Sequence, residues 1–282
     1  MQFINSVDAL KEALNLLRRK SGKIGFVPTM GALHEGHLSL VSRSRKEMDA
    51  TVVSLFVNPT QFGPSEDFNK YPRPVERDRA LCEKAGVDLL FSPSPAEMYP
   101  AGYGTYVLQE RYTEAFEGAV RTGHFHGVCT VCAKLFNLLR PAVAYFGQKD
   151  YQQTVVIRRM VKDLNMELDI RVCPIVREAD GLAMSSRNIY LSPEERLQAA
   201  TLQRALAGAE RAFASGERSA APLLNEVRKI LREAPLAQLD YAAVVDPNNL
   251  QELRRIETGA VVLLAARFGK TRLIDNTLLS PE

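Results

Sequence analysis

At 282 residues the chain is long enough to bury a large core in one or two domains, and 46% hydrophobic with 24% charged residues is ordinary for a globular protein in water. A formal net charge of only +3 gives no reason to expect a nucleic-acid or membrane partner. Four cysteines are too few for a disulfide scaffold of this size, the opening residues show no basic segment followed by an apolar run, and no apolar run approaches the roughly 18 to 20 residues of a membrane span, so a cytoplasmic protein is expected.

Ser6 is a capping residue, and Leu10, Ala13, Leu14 and Leu17 follow at helical spacing, which predicts an amphipathic helix over residues 6–20. Residues 24–27 are an apolar run stopped by Pro28 and Gly31. A helical pattern of Leu38, Val41 and Met48 then begins where His34 and His37 stand three apart. Strand, loop and helix in this order predict a ligand site, because the amide N–H groups and positive dipole end of a helix face an anion at the carboxyl end of a strand. Gly31 and Gly36 let the backbone approach closely. Two imidazoles on one turn can donate to phosphate oxygens. A zinc helix of the His-Glu-x-x-His type needs an i, i+4 pair with Glu beside the first His, whereas the spacing here is i, i+3. A turn whose two histidines are only solvated is the other reading open at this point.

Residues 50–57 read as a fully buried strand, so the unit is parallel and right-handed. Residues 58–74 form a polar, proline-containing loop at that strand's carboxyl end. There Asn58 and Gln61 offer donors and acceptors suited to a hydroxy acid, or simply form turns. A helix over 74–85, with proline in its first turn and Gly86 at its end, leads to a strand over 87–91. Residues 92–123 show no period. Arg121 and His124 precede a helix reaching residue 139; they can meet phosphate or carboxylate, or remain solvated. On that helix Cys129 and Cys132 sit in an apolar pattern and read as buried core thiols, not as a redox or zinc pair.

A strand over 143–146 ends at Gly147-Gln148-Lys149-Asp150, and a helix over 151–165 follows, making a second anion site. Lys149 offers a positive point charge, Asp150 can accept from ribose hydroxyls, and Gln153 would face the same pocket as Gln61. A capped helix start with a solvated Lys-Asp pair is the alternative. After a strand over 168–173, helices over 193–213 and 221–234 and strand-like runs over 239–245, 260–268 and 271–274 predict a smaller α+β domain. The domains expected are 1–175, a doubly wound parallel sheet, and 176–282.

Pro28-Thr29-Met30-Gly31-Ala32-Leu33-His34-Glu35-Gly36-His37 resembles the His-x-Gly-His signature of nucleotidyltransferases related to class I aminoacyl-tRNA synthetases. With Asn58-Pro59-Thr60-Gln61-Phe62, Gly147-Gln148-Lys149-Asp150-Tyr151-Gln152-Gln153 and Met184-Ser185-Ser186-Arg187-Asn188, all in the expected order, it closely resembles the pantothenate synthetase (pantoate–β-alanine ligase) family. The last of these is similar to the superfamily's mobile Lys-Met-Ser-Lys-Ser loop, with Arg187 departing from the lysine but keeping its charge.

The resemblance implies a Rossmann-like domain binding ATP and pantoate, a C-terminal lid hinged at the Ser-Ser-Arg loop, and condensation of (R)-pantoate with β-alanine through a pantoyl adenylate. It implies catalytic roles for His34, His37, Lys149 and Arg187. It places Met30, Gly147, Asp150, Val176, Met184, Ser185 and Ser186 with them on ATP, and Asn58, Gln61 and Gln153 on the acid substrates. Asp78 would assist Mg²⁺, and the protein would be a homodimer. One rival is a nucleotidylyltransferase with a phosphorylated acceptor, against which Gln61 and Gln153 stand where Arg or Lys would be wanted. A nucleotide- or RNA-binding relative of the synthetases is the other, and the low net charge opposes it.

Overall fold

The computed structural model describes residues 1–64 and 66–280; residue 65 of the expected 58–74 loop and residues 281 and 282 of the expected second domain lie outside the described residues. The chain divides into two compact units, Met1–Gly147 with Val156–Cys173, and Gln148–Val155 with Pro174 onward.

In the first unit a short strand β1 (Gln2–Ile4) precedes helix α1 (Val7–Lys20). Ser6 caps that helix by accepting from Ala9 N–H at 3.3 Å, and Arg18, Arg19 and Lys20 sit in its last turn, where they suit the helix dipole. Next come β2 (Ile24–Thr29), α2 (Glu35–Glu47), β3 (Ala50–Leu55), α3 (Val75–Lys84) and β4 (Leu89–Phe91). The aperiodic stretch holds two short helices, α4 (Pro95–Met98) and α5 (Glu117–Val120), before α6 (His124–Leu139), β5 (Val143–Gly147), α7 (Tyr151–Asp163) and β6 (Asp169–Cys173). The division between the units falls inside α7, after Val155.

The six strands pair in parallel in the order β1-β4-β3-β2-β5-β6. Every residue of β3 is buried, as its uninterrupted apolar run requires of a strand covered on both faces. The order reverses between β2 and β5, and in such sheets ligands gather outside the carboxyl ends at the reversal. Phe26 of β2 is fully buried and meets Phe136 of α6 edge-on at 6.3 Å; burying such a side chain is worth about 1.5–3 kcal/mol. Cys129 and Cys132 are buried and unpaired by disulfide, and burial pushes the Cys129 thiol up to about 12 and raises that of Cys132. They are core thiols, as their apolar pattern predicts. The strand β1, too short to show a period, was not anticipated.

The second unit contains α8 (Pro193–Ala199), α9 (Thr201–Ala214), α10 (Ala220–Leu231) and an antiparallel sheet of β7 (Ala237–Val245), β8 (Ala260–Phe268) and β9 (Thr271–Leu279) in that order. Leu202, Leu206, Phe213, Leu223, Val262 and Leu264 share its core. Two expectations are corrected. The single helix over 193–213 is interrupted at Ala200, whose ψ of −17° tightens the turn and breaks the i→i−4 ladder without any Pro or Gly. The strand expected to stop at residue 274 continues to Leu279, because Asp275, Asn276 and Thr277, which end the apolar pattern, are nevertheless buried. Among the described residues no helix is long and apolar enough to cross a membrane.

Candidate active site

Between β2 and α2 the backbone takes two successive left-handed residues, Gly31 at φ +84° and Ala32 at φ +51°. A left-handed alanine is strained, so something must hold it there. Asp78, 1% exposed on α3, does so: Oδ2 accepts from Ala32 N–H at 2.7 Å and Oδ1 from Leu33 N–H at 2.9 Å. Burial raises the Asp78 pKa, opposed by these two N–H donors. Thr29 closes the other side, accepting from Gly31 N–H at 3.1 Å and donating to Ser54 O at 2.7 Å.

This places His34 at the N-cap of α2. His34 Nδ1 accepts from Gly36 N–H at 3.1 Å, and His37 Nδ1 accepts from His34 N–H at 3.4 Å, a reciprocal cap built from two imidazoles. The rings lie 4.1 Å apart. With Nδ1 accepting in both, the neutral rings carry their proton on Nε2. An i, i+3 spacing is what a capping pair needs.

Asn58, Gln61 and Met30 are brought together. Asn58 is fully buried; its Nδ2 donates to Gln61 Oε1 at 3.1 Å and Gly127 O at 3.0 Å, while Oδ1 accepts from Thr60 N–H, Thr60 Oγ1 and Tyr99 OH at 3.3, 2.9 and 2.8 Å. Both ends of this amide are engaged within the protein, and its Nδ2 holds Gln61 Oε1 in place. Gln61 Nε2 in turn donates to Met30 Sδ at 3.1 Å.

His124 and Arg121 are likewise committed. His124 Nδ1 meets Gln61 O at 2.9 Å and its Nε2 meets Arg121 Nη1 at 3.0 Å, while Arg121 grips Glu66 with two donors at 2.9 and 2.7 Å. Burial, helped by the Arg121 charge, pulls His124 down to about 4 and keeps it neutral, with Nδ1–H donating to the carbonyl. Neither residue is set out for an anion. Glu66, Tyr99 and Gly127 were not singled out from the sequence, since their partners are 41 to 69 residues away.

In the second unit, Lys149 stands in a 3₁₀ turn, Gln148–Asp150, directly after Gly147, which closes β5 in the first unit; Lys149 Nζ lies 3.4 Å from Asp150 Oδ1. Gln153 is half-buried on the first turn of α7; it belongs to the second unit and Gln61 to the first. Met184 N–H donates to Val176 O at 3.0 Å, which closes a small hairpin. Ser185 caps the 3₁₀ turn Ser186–Tyr190, its Oγ accepting from Arg187 N–H at 3.2 Å. Asn188 ties that turn back through Glu178 Oε1 at 2.7 Å and Ala183 O at 3.2 Å.

The profile of a protein family described as pantoate-beta-alanine ligase matches residues 2–278. A pantothenate synthetase of Thermotoga petrophila is 53% identical over 279 residues, covering 99% of this chain and 100% of that protein. The crystal structure of pantothenate synthetase from Thermus thermophilus superposes with a TM-score of 0.95 at 50% identity, covering all of both chains. A Francisella tularensis pantoate-beta-alanine ligase, solved in complex with beta-gamma ATP and beta-alanine, gives 0.81 at 35% identity over 99% of this chain and 97% of that one. Likeness of that extent, with every expected motif carried on the strand ends and turns just described, means that the chain belongs to the pantoate-beta-alanine ligase family.

Proposed function

We propose that the chain condenses (R)-pantoate with β-alanine to give pantothenate, at the expense of ATP, through a pantoyl adenylate. The observation that carries this reading is the family match over residues 2–278. The pantoate carboxylate attacks the α-phosphorus and pyrophosphate leaves; the β-alanine amine then attacks the acyl carbon and AMP leaves, the nitrogen giving up one proton to solvent and keeping the other as the amide N–H. No enzyme nucleophile is needed, which agrees with the raised pKa values of Cys82 and Cys129.

Catalysis on this reading is positioning plus charge stabilisation. In the first unit, His34 and His37 turn Nδ1 to the backbone and offer Nε2–H to phosphate oxygens as hydrogen-bond donors, His37 foremost. Gln61, held by Asn58 and touching Met30, offers its amide to pantoate. In the second unit Lys149 and Arg187 supply positive charge for the phosphates, with Gly147 leading into the Lys149 turn. Ser185 and Ser186 add hydroxyl and amide donors, Asp150 accepts from ribose, Val176 and Met184 line the nucleotide, and Gln153 serves pantoate. We assign pantoate binding and most of the ATP site to residues 1–175, and to residues 176–282 the contribution of Val176, Met184, Ser185, Ser186 and Arg187 to the nucleotide. We further propose a homodimer, which the family resemblance implies, and a cytoplasmic location.

We place Mg²⁺ with ATP as part of the substrate. Among the described residues no group of three or more His, Cys, Asp or Glu is arranged for a metal, and Mg²⁺ usually keeps phosphate oxygens and waters as its ligands, where it offsets phosphate charge. We read Asp78 as the holder of the loop in place of the metal role that the resemblance implies, a reading supported by its two carboxylate oxygens each accepting from a backbone N–H, of Ala32 and of Leu33. Asp78→Asn, which turns an N–H donor against a backbone N–H, should cost about 1–3 kcal/mol of stability while the magnesium concentration for half-maximal rate stays as in the parent. A changed magnesium requirement with an unchanged thermal transition would return Asp78 to the metal.

The function itself is tested by AMP release from ATP and Mg²⁺ with pantoate and β-alanine supplied together and each omitted in turn. AMP together with pantothenate only when both acids are present is the expected result. ATP consumption without pantothenate in the complete mixture would reject it, and a phosphorylated acceptor would then be tried.

A further inference from the structure

Asn276 lies on β9, whose backbone pairs with β8, and it is only 2% exposed. Asparagine is a poor strand residue, and a buried amide without partners costs stability, so where its hydrogen bonds go is informative. They do not go to the sheet. Nδ2 donates to Gln148 O and to Lys149 O, each at 3.0 Å, and Oδ1 accepts from Gln148 Nε2 at 3.1 Å. Its backbone N–H is held by Asp275 Oδ1 at 2.8 Å, and Asp275 is itself fastened to Arg177 at 2.7 and 3.1 Å.

The two carbonyls that Asn276 binds belong to the peptide units on either side of the Lys149 Cα. Fixing both planes fixes φ and ψ of Lys149, and with them the direction in which its side chain leaves the turn. We propose that Asn276 is a positioning residue for Lys149, acting through the backbone of the 148–150 turn to aim the cation at the nucleotide phosphates. This rests on the reading of Lys149 as a phosphate-binding group. The C-terminal strand thereby sets the geometry of a turn 127 residues earlier in the chain. A Lys point charge has flexible reach, and a launch direction constrained at the backbone compensates for it.

The test uses the full chain in four forms: parent, Asn276→Asp, Lys149→Ala and the double variant, assayed for AMP formation against ATP concentration and for thermal unfolding. Asn276→Asp keeps the shape of the side chain but sets a carboxylate oxygen against two carbonyls. It should lower kcat/KM for ATP by about 10²-fold, the usual cost of a misplaced group. In the Lys149→Ala background the same substitution should change kcat/KM by about twofold at most, because the group it positions is gone. An equal loss in both backgrounds would mean a merely structural role and overturn the proposal, as would parent kinetics in Asn276→Asp. Parent kinetics in Lys149→Ala alone would instead reject the reading of Lys149, and the proposal with it. Asn276→Ala, which adds no charge, carries the same cycle if Asn276→Asp melts below the assay temperature.

Discussion

Replacing His37 with alanine is expected to lower the rate of AMP formation by about 10²- to 10³-fold, the range seen when one preorganised donor to a developing charge is removed. The imidazole has two jobs that the substitution removes together. Its Nδ1 accepts from His34 N–H at the start of α2, and its Nε2–H is the donor proposed for phosphate. Loss of the first costs about 1 kcal/mol of helix capping, which lowers the thermal midpoint by roughly 2–4 °C in a chain of this size. The second accounts for the rate. His37→Asn separates them, because the asparagine oxygen stands where Nδ1 stood and can cap, while nothing replaces Nε2. The asparagine variant should therefore melt close to the parent and remain as slow as the alanine variant. Recovery of turnover in His37→Asn would show that His37 matters only as a cap.

Gly127→Ala should be the most damaging single-atom addition near Gln61. A Cβ at residue 127 would fall 2.4 Å from both the carbonyl carbon and oxygen of Thr60 and 2.5 Å from Gln61 N. These are backbone atoms of a short turn and cannot swing aside as a side-chain tip could. Helix α6 must then move away from the Pro59–Gln61 turn. That movement breaks the Asn58 bond to Gly127 O and the His124 bond to Gln61 O, both across buried surface. Overpacking costs about 1–3 kcal/mol, and the two orphaned polar groups add about 1–3 kcal/mol each. Denaturant unfolding should show the loss, and whatever folded protein remains should need far more pantoate for half-maximal rate, with its ATP requirement little changed. Parent stability with a parent pantoate KM would mean that the turn is not held through this contact.

Short-range chemistry decided much of the molecule before any tertiary contact is considered. The apolar runs of β2, β3 and β5, each followed by a breaker and a helical period, carry the parallel sheet, since strand and helix patterns repeat over two and 3.6 residues and need only neighbours to be read. The motifs at residues 28–37, 58–62, 147–153 and 184–188 are legible for the same reason: each is contiguous. What Asn58, Asp78 and His124 bond to is decided only in three dimensions. Asn58 has the composition of a ligand and the hydrogen bonds of a strut. Asp78 looks like a solvated helix carboxylate and is the buried anchor of a left-handed alanine 46 residues away. Asp275 and Asn276 end an apolar pattern, so the period predicts the end of a strand that in fact continues. The physical reason is common to all of them. Apolar burial is set by the pattern of a segment, whereas a buried polar group is stable only where a particular donor or acceptor meets it, and that partner is chosen by the folded chain.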